Sequence, residues 1–266
     1  MIPICDYHMH TPLSGHAVGQ PEEYVKQAIK VGLKEMGFSD HAPLVSGEDP
    51  SIAMSFEQLP EYHKMIEKAR ESFSDITIKI GIEAEFTPGL EEKTKAILSG
   101  YPYDYVIGSV HFIKDWGFDN PDQREQWNEQ DVNAVYKDYF ALIRASAASG
   151  LFDIMGHVDL VKKFGHRATE DMTAEVEKTA EAFKKAQVAI EINTSGLRKT
   201  VREIYPSLEA LKIYCSNGIP ITFGSDSHHY NDVGRDFDKA AQLAKEAGYK
   251  EYVLFKARKI EQSVPL

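Results

Sequence analysis

Ile4-Cys5-Asp6-Tyr7-His8-Met9-His10 places two histidines at the end of a short apolar run. Such a run is typical of a buried β-strand. Residues two apart in an extended strand point to the same face, so His8 and His10 can bind one metal ion. A single His-x-His pair is weak evidence. It gains weight because histidines and carboxylates recur at the same place in later runs.

Five later runs repeat this placement. They are Gly37-Phe38-Ser39-Asp40-His41, Ile80-Gly81-Ile82-Glu83-Ala84-Glu85, Val106-Ile107-Gly108-Ser109-Val110-His111, Ile154-Met155-Gly156-His157 and Ile221-Thr222-Phe223-Gly224-Ser225-Asp226-Ser227-His228. One further strand is predicted at 187–193, the last of these runs begins with a seventh strand at 220–223, and a possible eighth lies at 252–255. Successive strand ends lie roughly 28 to 46 residues apart, the length of βα units, which favours a parallel sheet closed as a barrel.

Segments with helical spacing of apolar residues lie between the predicted strands. They span residues 21–34, 57–73, 89–99, 129–148, 170–186, 207–217 and 236–247. Two longer loops are predicted at 42–56 and 112–128. The second carries Trp116, Phe118 and Trp127, which are expected either to form a lid or substrate wall or to pack against the barrel rim. His63 lies within a predicted helix and is assigned no function.

Length and composition favour one domain spanning residues 1–266. The chain has 266 residues and is 42% hydrophobic, and α/β barrels commonly run to about 250 residues. No apolar run approaches the roughly 20 residues that span a bilayer, and no signal-peptide pattern begins the chain, so we predict a soluble cytoplasmic protein. Cys5 and Cys215 have no CxxC spacing and are expected to be reduced core residues. A net charge of −11 argues against a nucleic-acid partner.

A barrel brings the carboxyl ends of all its strands to one mouth. The histidines and carboxylates that follow these strands are therefore expected to converge. Burying so many imidazoles and carboxylates is costly unless cations pair with them. The sequence thus predicts a metal site built from several strands.

At these motifs the chain resembles the polymerase and histidinol phosphatase (PHP) family over essentially its whole length. The resemblance implies an α/β fold, a distorted TIM-like (β/α)7 barrel with the metal site at the carboxyl ends of its strands. Family members hold up to three divalent ions through nine side chains. The residues of this chain that match are His8, His10, His16, His41, Glu83, His111, His157, Asp226 and His228.

The same resemblance implies three metal sub-sites. They are formed by His8, His10 and Asp226, by His111 and His157, and by His16, His41 and His228. Glu83 is expected to bridge the first two ions. Glu85 remains an alternative bridge, because residues two apart share a strand face. Two to three ions are expected, and nitrogen and oxygen ligands without thiolate suit Zn, Mn or Fe.

Two metals that share a carboxylate can activate water and clamp the oxygens of an in-line displacement at phosphorus. Phosphate-ester hydrolysis is therefore predicted, and a third ion favours a monoester. Arg198, in the loop after strand 187–193, is expected to bind the phosphate, since a guanidinium pairs bidentately with phosphate. Its alternative is a surface arginine. A second cation is expected among four residues that follow His157, namely Lys162, Lys163, His166 and Arg167.

The leaving alkoxide needs a proton donor. His229 and Asp40 are the candidates. Either residue is equally explained as a group that orients a metal-binding imidazole. The general acid therefore stays open.

Within the family, two segments resemble the histidinol-phosphate phosphatase branch: residues 108–119 and 157–164. This implies hydrolysis of L-histidinol phosphate to L-histidinol and phosphate, a step of histidine biosynthesis, with a small phosphate monoester as the partner. The oligomeric state is not predicted. One alternative is a PHP-type phosphoesterase acting on nucleotide monophosphates or small sugar phosphates. The others are a non-catalytic metal-binding scaffold and an amidohydrolase-like barrel, which also begins with His-x-His.

Overall fold

The protein, described here as a computed structural model covering residues 4–266, is built around one sheet of seven parallel strands. The strands pair in the order in which they occur in the chain. They are β1 (Cys5–Asp6), β2 (Glu35–Phe38), β3 (Thr77–Glu85), β4 (Tyr105–Ser109), β5 (Ile154–Met155), β6 (Ala189–Asn193) and β7 (Ile221–Gly224). The Tyr7 N–H donates to Phe223 O (3.0 Å), and Met9 forms a parallel bridge with Ser227. These contacts join β7 to β1 and close the barrel.

A helix follows each strand, and each of the seven predicted amphipathic segments contains one. The helices are α1 (Pro21–Lys30), α2 (Leu59–Ser72), α3 (Glu91–Leu98), α4 (Val132–Ala148), α5 (Thr173–Ala186), α6 (Leu208–Ser216) and α7 (Phe237–Ala247). The prediction of a distorted (β/α)7 barrel is confirmed. Some helix ends differ from the predicted ones. The helix α1 ends four residues earlier than predicted, before Gly32, whose φ of 88° is one that glycine adopts readily.

A buried tyrosine fills the barrel interior. Tyr105 stacks on Tyr7 with ring centroids 4.6 Å apart, and its hydroxyl donates to Tyr7 O (2.6 Å). A Cβ on Gly37 or Gly81 would lie 2.2 or 2.3 Å from the Tyr105 side chain. Glycines in β2 and β3 therefore make room for this ring.

Residues 252–255 form a strand, as predicted, but this strand does not belong to the barrel. Glu251–Lys256 pairs antiparallel with Lys259–Pro265 in a separate hairpin, called here the floor hairpin. At its turn, Arg258 Nε lies 2.6 Å from Asp153 Oδ2, just before β5. The hairpin therefore covers the amino ends of the barrel strands, opposite the end where the predicted metal ligands lie.

The aromatic residues of the 112–128 loop pack against the rim. Trp116, Phe118 and Trp127 are all buried. Trp127 Nε1–H donates to Phe118 O (2.8 Å), and its ring stacks on His166 at 4.5 Å. The three aromatic side chains therefore pack against the barrel rim, which was one of the two expectations; the other was a lid or substrate wall.

The fold also places the two cysteines and His63. Cys5 is buried in the core, whereas Cys215 on α6 is half-buried, so its assignment to the core was wrong; both are free thiols. His63 stacks on Tyr101 with ring centroids 4.0 Å apart. Within residues 4–266, no helix combines the length and apolar character needed to cross a membrane.

Candidate metal centre

The carboxyl ends of the strands surround a cavity of about 530 Å³. All nine predicted metal ligands lie at this end of the barrel. Seven of them line the cavity directly: His16, His41, Glu83, His111, His157, Asp226 and His228. His8 and His10 lie behind these residues and are fully buried. The barrel thus brings together side chains that are separated by up to 220 positions in the chain (His8 to His228).

Glu83 lies at the centre of the cluster. Its Oε2 is 2.9 Å from His41 Nδ1 and 3.2 Å from His8 Nε2. Its Oε1 is 3.1 Å from His157 Nε2 and 3.6 Å from His111 Nε2. One carboxylate therefore contacts imidazoles from four strand ends, the geometry expected of a bridging ligand.

Glu85 occupies a different position. Its carboxylate accepts the His111 backbone N–H (3.1 Å) and lies 2.7 Å from His111 Nδ1. The imidazole Nε2 is thereby left to face Glu83. Glu85 orients a ligand from behind, and this arrangement supports Glu83 rather than Glu85 as the bridge.

Three groups of side chains bring ligand atoms within 4.8 Å of one another. They are His8 with His10 and Asp226, His8 with Glu83 and His157, and His10 with His41 and His228. The first is the predicted first sub-site. In the third group His10 takes the place expected for His16, whose ring nevertheless stacks on His228 with centroids 4.6 Å apart.

Polar atoms without partners test whether these residues fit a metal. Among the described residues, His8 Nε2, Glu83 Oε2 and His157 Nδ1 are buried without a hydrogen-bond partner. Such atoms carry a large desolvation cost unless a ligand satisfies them. His157 and Asp226 also have φ values of 24° and 52°, and residues held in this region cost on the order of 1–3 kcal/mol each. The donor set of imidazole nitrogens and carboxylate oxygens therefore fits divalent cations.

Two carboxylates and one imidazole of the cluster have pKa values that suit metal binding. Burial alone would raise the pKa of Glu83, but His8 and His41 outweigh it and hold that pKa well below its usual range. Burial likewise opposes ionisation of Asp226, yet His8 and neighbouring histidines hold its pKa well below the ordinary value. Burial and His10 lower the pKa of His228 well below its usual range. Ionised carboxylates and a neutral imidazole are the forms that bind metals.

Two serines that sequence reasoning did not single out contact the carboxylates. The Ser109 hydroxyl donates to Glu83 Oε1 (2.5 Å), and the Ser195 hydroxyl donates to Asp226 Oδ2 (2.9 Å). Ser109 lies in the motif that ends in His111, and Ser195 lies in the loop that carries Arg198. Their hydroxyls restrict the carboxylate orientations.

Neither candidate for the general acid lines the described cavity. Asp40 is fully buried; it accepts the backbone N–H groups of His41 (2.9 Å) and Thr11 (3.1 Å), and its Oδ1 lies 3.4 Å from His10 Nδ1. His229 Nδ1 accepts the Asn231 N–H (3.2 Å). Asp40 is placed to orient His10, and His229 caps a short helix.

Arg198 lines the cavity, as expected of a phosphate-binding residue. Its Nη2 donates to Ser225 O (2.5 Å), and its Nε lies 3.5 Å from Asp232 Oδ2. Its Nη1 is buried and has no hydrogen-bond partner within residues 4–266. The guanidinium is thus held on one side and retains free donors.

Of the four candidates for a second cation, Lys163 lines the cavity, with its Nζ 2.8 Å from Asp119 Oδ2. The other three do not line it in the described part of the chain. Lys162 pairs with Asp159, His166 stacks on Trp127, and Arg167 pairs with Glu203. Lys199 also lines the cavity, and no role was predicted for it from the sequence.

The chain is similar in sequence to a known protein family. A family model described as "PHP domain" matches residues 6–195. A probable histidinol-phosphatase of Deinococcus radiodurans is 39% identical over 262 residues, covering 98% of this chain and 100% of that protein. The histidinol-phosphatase of Bacillus subtilis is 31% identical, covering 88% of this chain and 96% of that protein.

A solved structure agrees over the whole barrel. The histidinol phosphate phosphatase of Lactococcus lactis, crystallised with zinc, L-histidinol and phosphate, aligns with a TM-score of 0.85 at 26% identity. The alignment covers 98% of this chain and 100% of that one. It therefore includes the region beyond residue 195, where β7, Asp226 and His228 complete the same barrel.

Proposed function

The chain belongs to the PHP domain family, and on that premise we propose that it is a metal-dependent phosphomonoesterase that hydrolyses L-histidinol phosphate to L-histidinol and phosphate. The observation that carries the proposal is the cluster of imidazoles and carboxylates centred on Glu83 at the mouth of the barrel. Relatives at 39% and 31% identity that bear the histidinol-phosphatase name support the substrate.

We also propose which side chains bind the metal ions and which metals they are. Nine side chains are assigned to two or three divalent ions, of Zn, Mn or Fe: His8, His10, His16, His41, Glu83, His111, His157, Asp226 and His228. The zinc in the L. lactis structure supports this choice of metals. When bound, such ions supply Lewis acidity to a water molecule and to the phosphoryl oxygens.

The protein's own contribution is to hold the phosphate in position. We assign the nonbridging phosphoryl oxygens to Arg198 and Lys163, the two predicted cations that line the cavity. The contacts of Arg198 with Ser225 O and Asp232 orient its fork before substrate arrives. Less conformational entropy is then lost on binding.

Acidic residues on the cavity wall support a cationic substrate. Asp119, Asp122 and Asp232 line it, and the chain carries a net charge of −11. An ammonium group is attracted by such a surface, whereas a polyanion is repelled. We therefore propose a small-molecule partner rather than nucleic acid, a cytoplasmic site of action, and one catalytic domain over residues 1–266.

A second candidate is a phosphatase of the same family with another small phosphate ester as its substrate. Its metal centre would be identical. The relative of Clostridium acetobutylicum that is named only a probable phosphatase, 24% identical over 241 residues, favours keeping this candidate. The choice between histidinol phosphate and another small ester would therefore depend on residues of the cavity wall and not on the metal ligands.

The test is phosphate release by purified, metal-replete protein from histidinol phosphate, a nucleoside monophosphate and a sugar phosphate. We expect the highest kcat/KM for histidinol phosphate. A clear preference for either other ester would favour the second candidate. Bound metal without turnover of any ester would identify a non-catalytic scaffold.

A further inference from the structure

We propose that Glu191 is a positioning residue that holds two metal ligands, His8 and His157, from behind the metal centre. The inference rests on the proposed metal-dependent function and adds a residue to it. Glu191 lies in β6, is 1% exposed, and is not one of the nine predicted ligands. Its side chain contacts residues that follow two other strands, His8 after β1 and His157 after β5.

The carboxylate of Glu191 meets three polar groups. Its Oε1 lies 2.7 Å from His8 Nδ1. Its Oε2 accepts the His157 backbone N–H (3.0 Å) and the Asn193 side-chain amide (2.9 Å). Both oxygens of this carboxylate can accept, and all three groups donate when His8 carries its proton on Nδ1.

The contact with His8 selects its tautomer. With the proton on Nδ1 directed at Glu191, the lone pair lies on Nε2. That atom is 3.2 Å from Glu83 Oε2, and both atoms lack a hydrogen-bond partner among the described residues. Glu191 therefore aims the Nε2 atom of His8 at the centre of the cluster.

The contact with His157 acts through the backbone. His157 has a φ of 24°, a conformation that residues with a side chain rarely adopt. Its N–H is held by Glu191, while its Nε2 lies 3.1 Å from Glu83 Oε1. Glu83 thus contacts both imidazoles from the front, and Glu191 fixes both from behind.

A glycine makes room for this carboxylate. A Cβ on Gly224, in β7, would lie 1.7 Å from Glu191 Oε1. Any side chain at that position would displace the carboxylate or the strand. Glu191 therefore lies in a slot that the neighbouring strand keeps open.

The test is metal affinity of the stripped full-length protein carrying Glu191→Gln, measured by competition between the protein and a chelator for Zn²⁺. The amide replaces one acceptor oxygen with an NH₂ group, which either faces the N–H donors of His157 and Asn193 or requires His8 to accept at Nδ1 and so to change its tautomer. We expect affinity for two of the bound ions to fall about 10–100-fold. The visible absorption spectrum of the Co²⁺-substituted protein should also change, because His8 and His157 would reorient.

Two variants separate positioning from general stability. Glu35→Gln alters another buried strand carboxylate, at the opposite end of the barrel, and should leave Zn²⁺ affinity unchanged. Glu191→Asp keeps the charge and should restore part of the affinity. Wild-type Zn²⁺ affinity and Co²⁺ spectrum in folded Glu191→Gln would overturn the inference, as would an equal loss in Glu35→Gln. If the wild-type protein itself bound no metal, the proposed function would fail first.

Discussion

The two ends of the barrel both bury charged side chains, but they satisfy them differently. At the floor, Lys79 Nζ lies 3.0 Å from Glu261 Oε2 and 3.7 Å from Glu35 Oε2, and Glu35 also accepts the Tyr7 hydroxyl. Arg258 pairs with Asp153 in the same region. Each of these charges has an opposite charge or a donor beside it.

At the mouth, carboxylates face imidazoles and no lysine or arginine contacts Glu83 within the described residues. Several polar atoms there are buried without a partner. Unpaired buried polar groups cost free energy, so an arrangement of this kind persists when a ligand completes it. The comparison indicates that the floor serves stability and the mouth serves metal binding.

Removing the metals should abolish activity at the mouth of the barrel and leave the floor unchanged. We expect chelation to abolish phosphate release, and added Mn, Zn or Fe to restore it, because the nucleophilic water depends on the metals. Phosphate release and elemental analysis check this, with two to three ions expected per chain. Undiminished hydrolysis by metal-free protein, or consistently fewer than two ions, would contradict the assignment.

Glu83→Gln should damage metal binding and turnover more than Glu85→Gln. Glu83 contacts imidazoles from four strand ends, whereas Glu85 contacts His111. Loss of an orienting group costs about 10–100-fold in metal affinity or activity, and the loss at Glu83 should exceed that range. Metal content and kcat/KM of the two variants are compared. The reverse order would transfer the bridging role to Glu85.

Arg198→Ala should lower kcat/KM for all monoester substrates about 10–100-fold, since a charge-assisted contact contributes about 1.5–3 kcal/mol. Metal content should stay unchanged, and Arg198→Lys should recover part of the activity because it keeps the charge but not the fork. Arg235→Ala is the matched control: Arg235 also pairs with Asp232 (2.6 Å) but does not line the described cavity. Near-normal kcat/KM in Arg198→Ala would show that Arg198 is a surface arginine without a role in phosphate binding. Lys163 would then be the leading phosphate-binding residue.

Arg258→Ala tests the floor and should have the smallest effect. Its side chain, 34% exposed, loses the ion pair with Asp153 and a hydrogen bond to Leu151 O (2.6 Å). We expect the free energy of unfolding to fall by about 1–2 kcal/mol, reduced by solvent screening at this partly exposed site. Denaturant unfolding measures the loss, while kcat/KM and metal content should remain at wild-type values. A marked loss of metal would show that the two ends are not independent.

The barrel was predictable because its signals are local. Apolar runs and helical spacing repeat at βα intervals, and every predicted helix is present. Residues 252–255 show the limit of such signals. Their apolar pattern predicts a strand, but their partner, Lys259–Pro265, is mostly exposed and does not show the same pattern. Membership of the barrel depends on which strands pair, and that is a property of the whole fold.

The nine ligands were predicted from the resemblance to the PHP family, in motifs that can be read along the chain. Their presence around one cavity required only that the barrel close. The choice between Glu83 and Glu85 was different. Both lie on one strand, and the distances to the neighbouring imidazoles distinguish them.

Local periodicity and the histidine motifs were thus enough to indicate the fold, the family and a metal-dependent reaction, because those properties depend on residues close together in sequence. The proposed role of Glu191, the choice of Lys163 among four candidate cations and the contact of Asp40 with His10 became visible only in the folded chain. Each depends on a contact with a residue 30 to 183 positions away. Such contacts arise when strands and loops from distant parts of the chain pack side by side, and no local pattern encodes them.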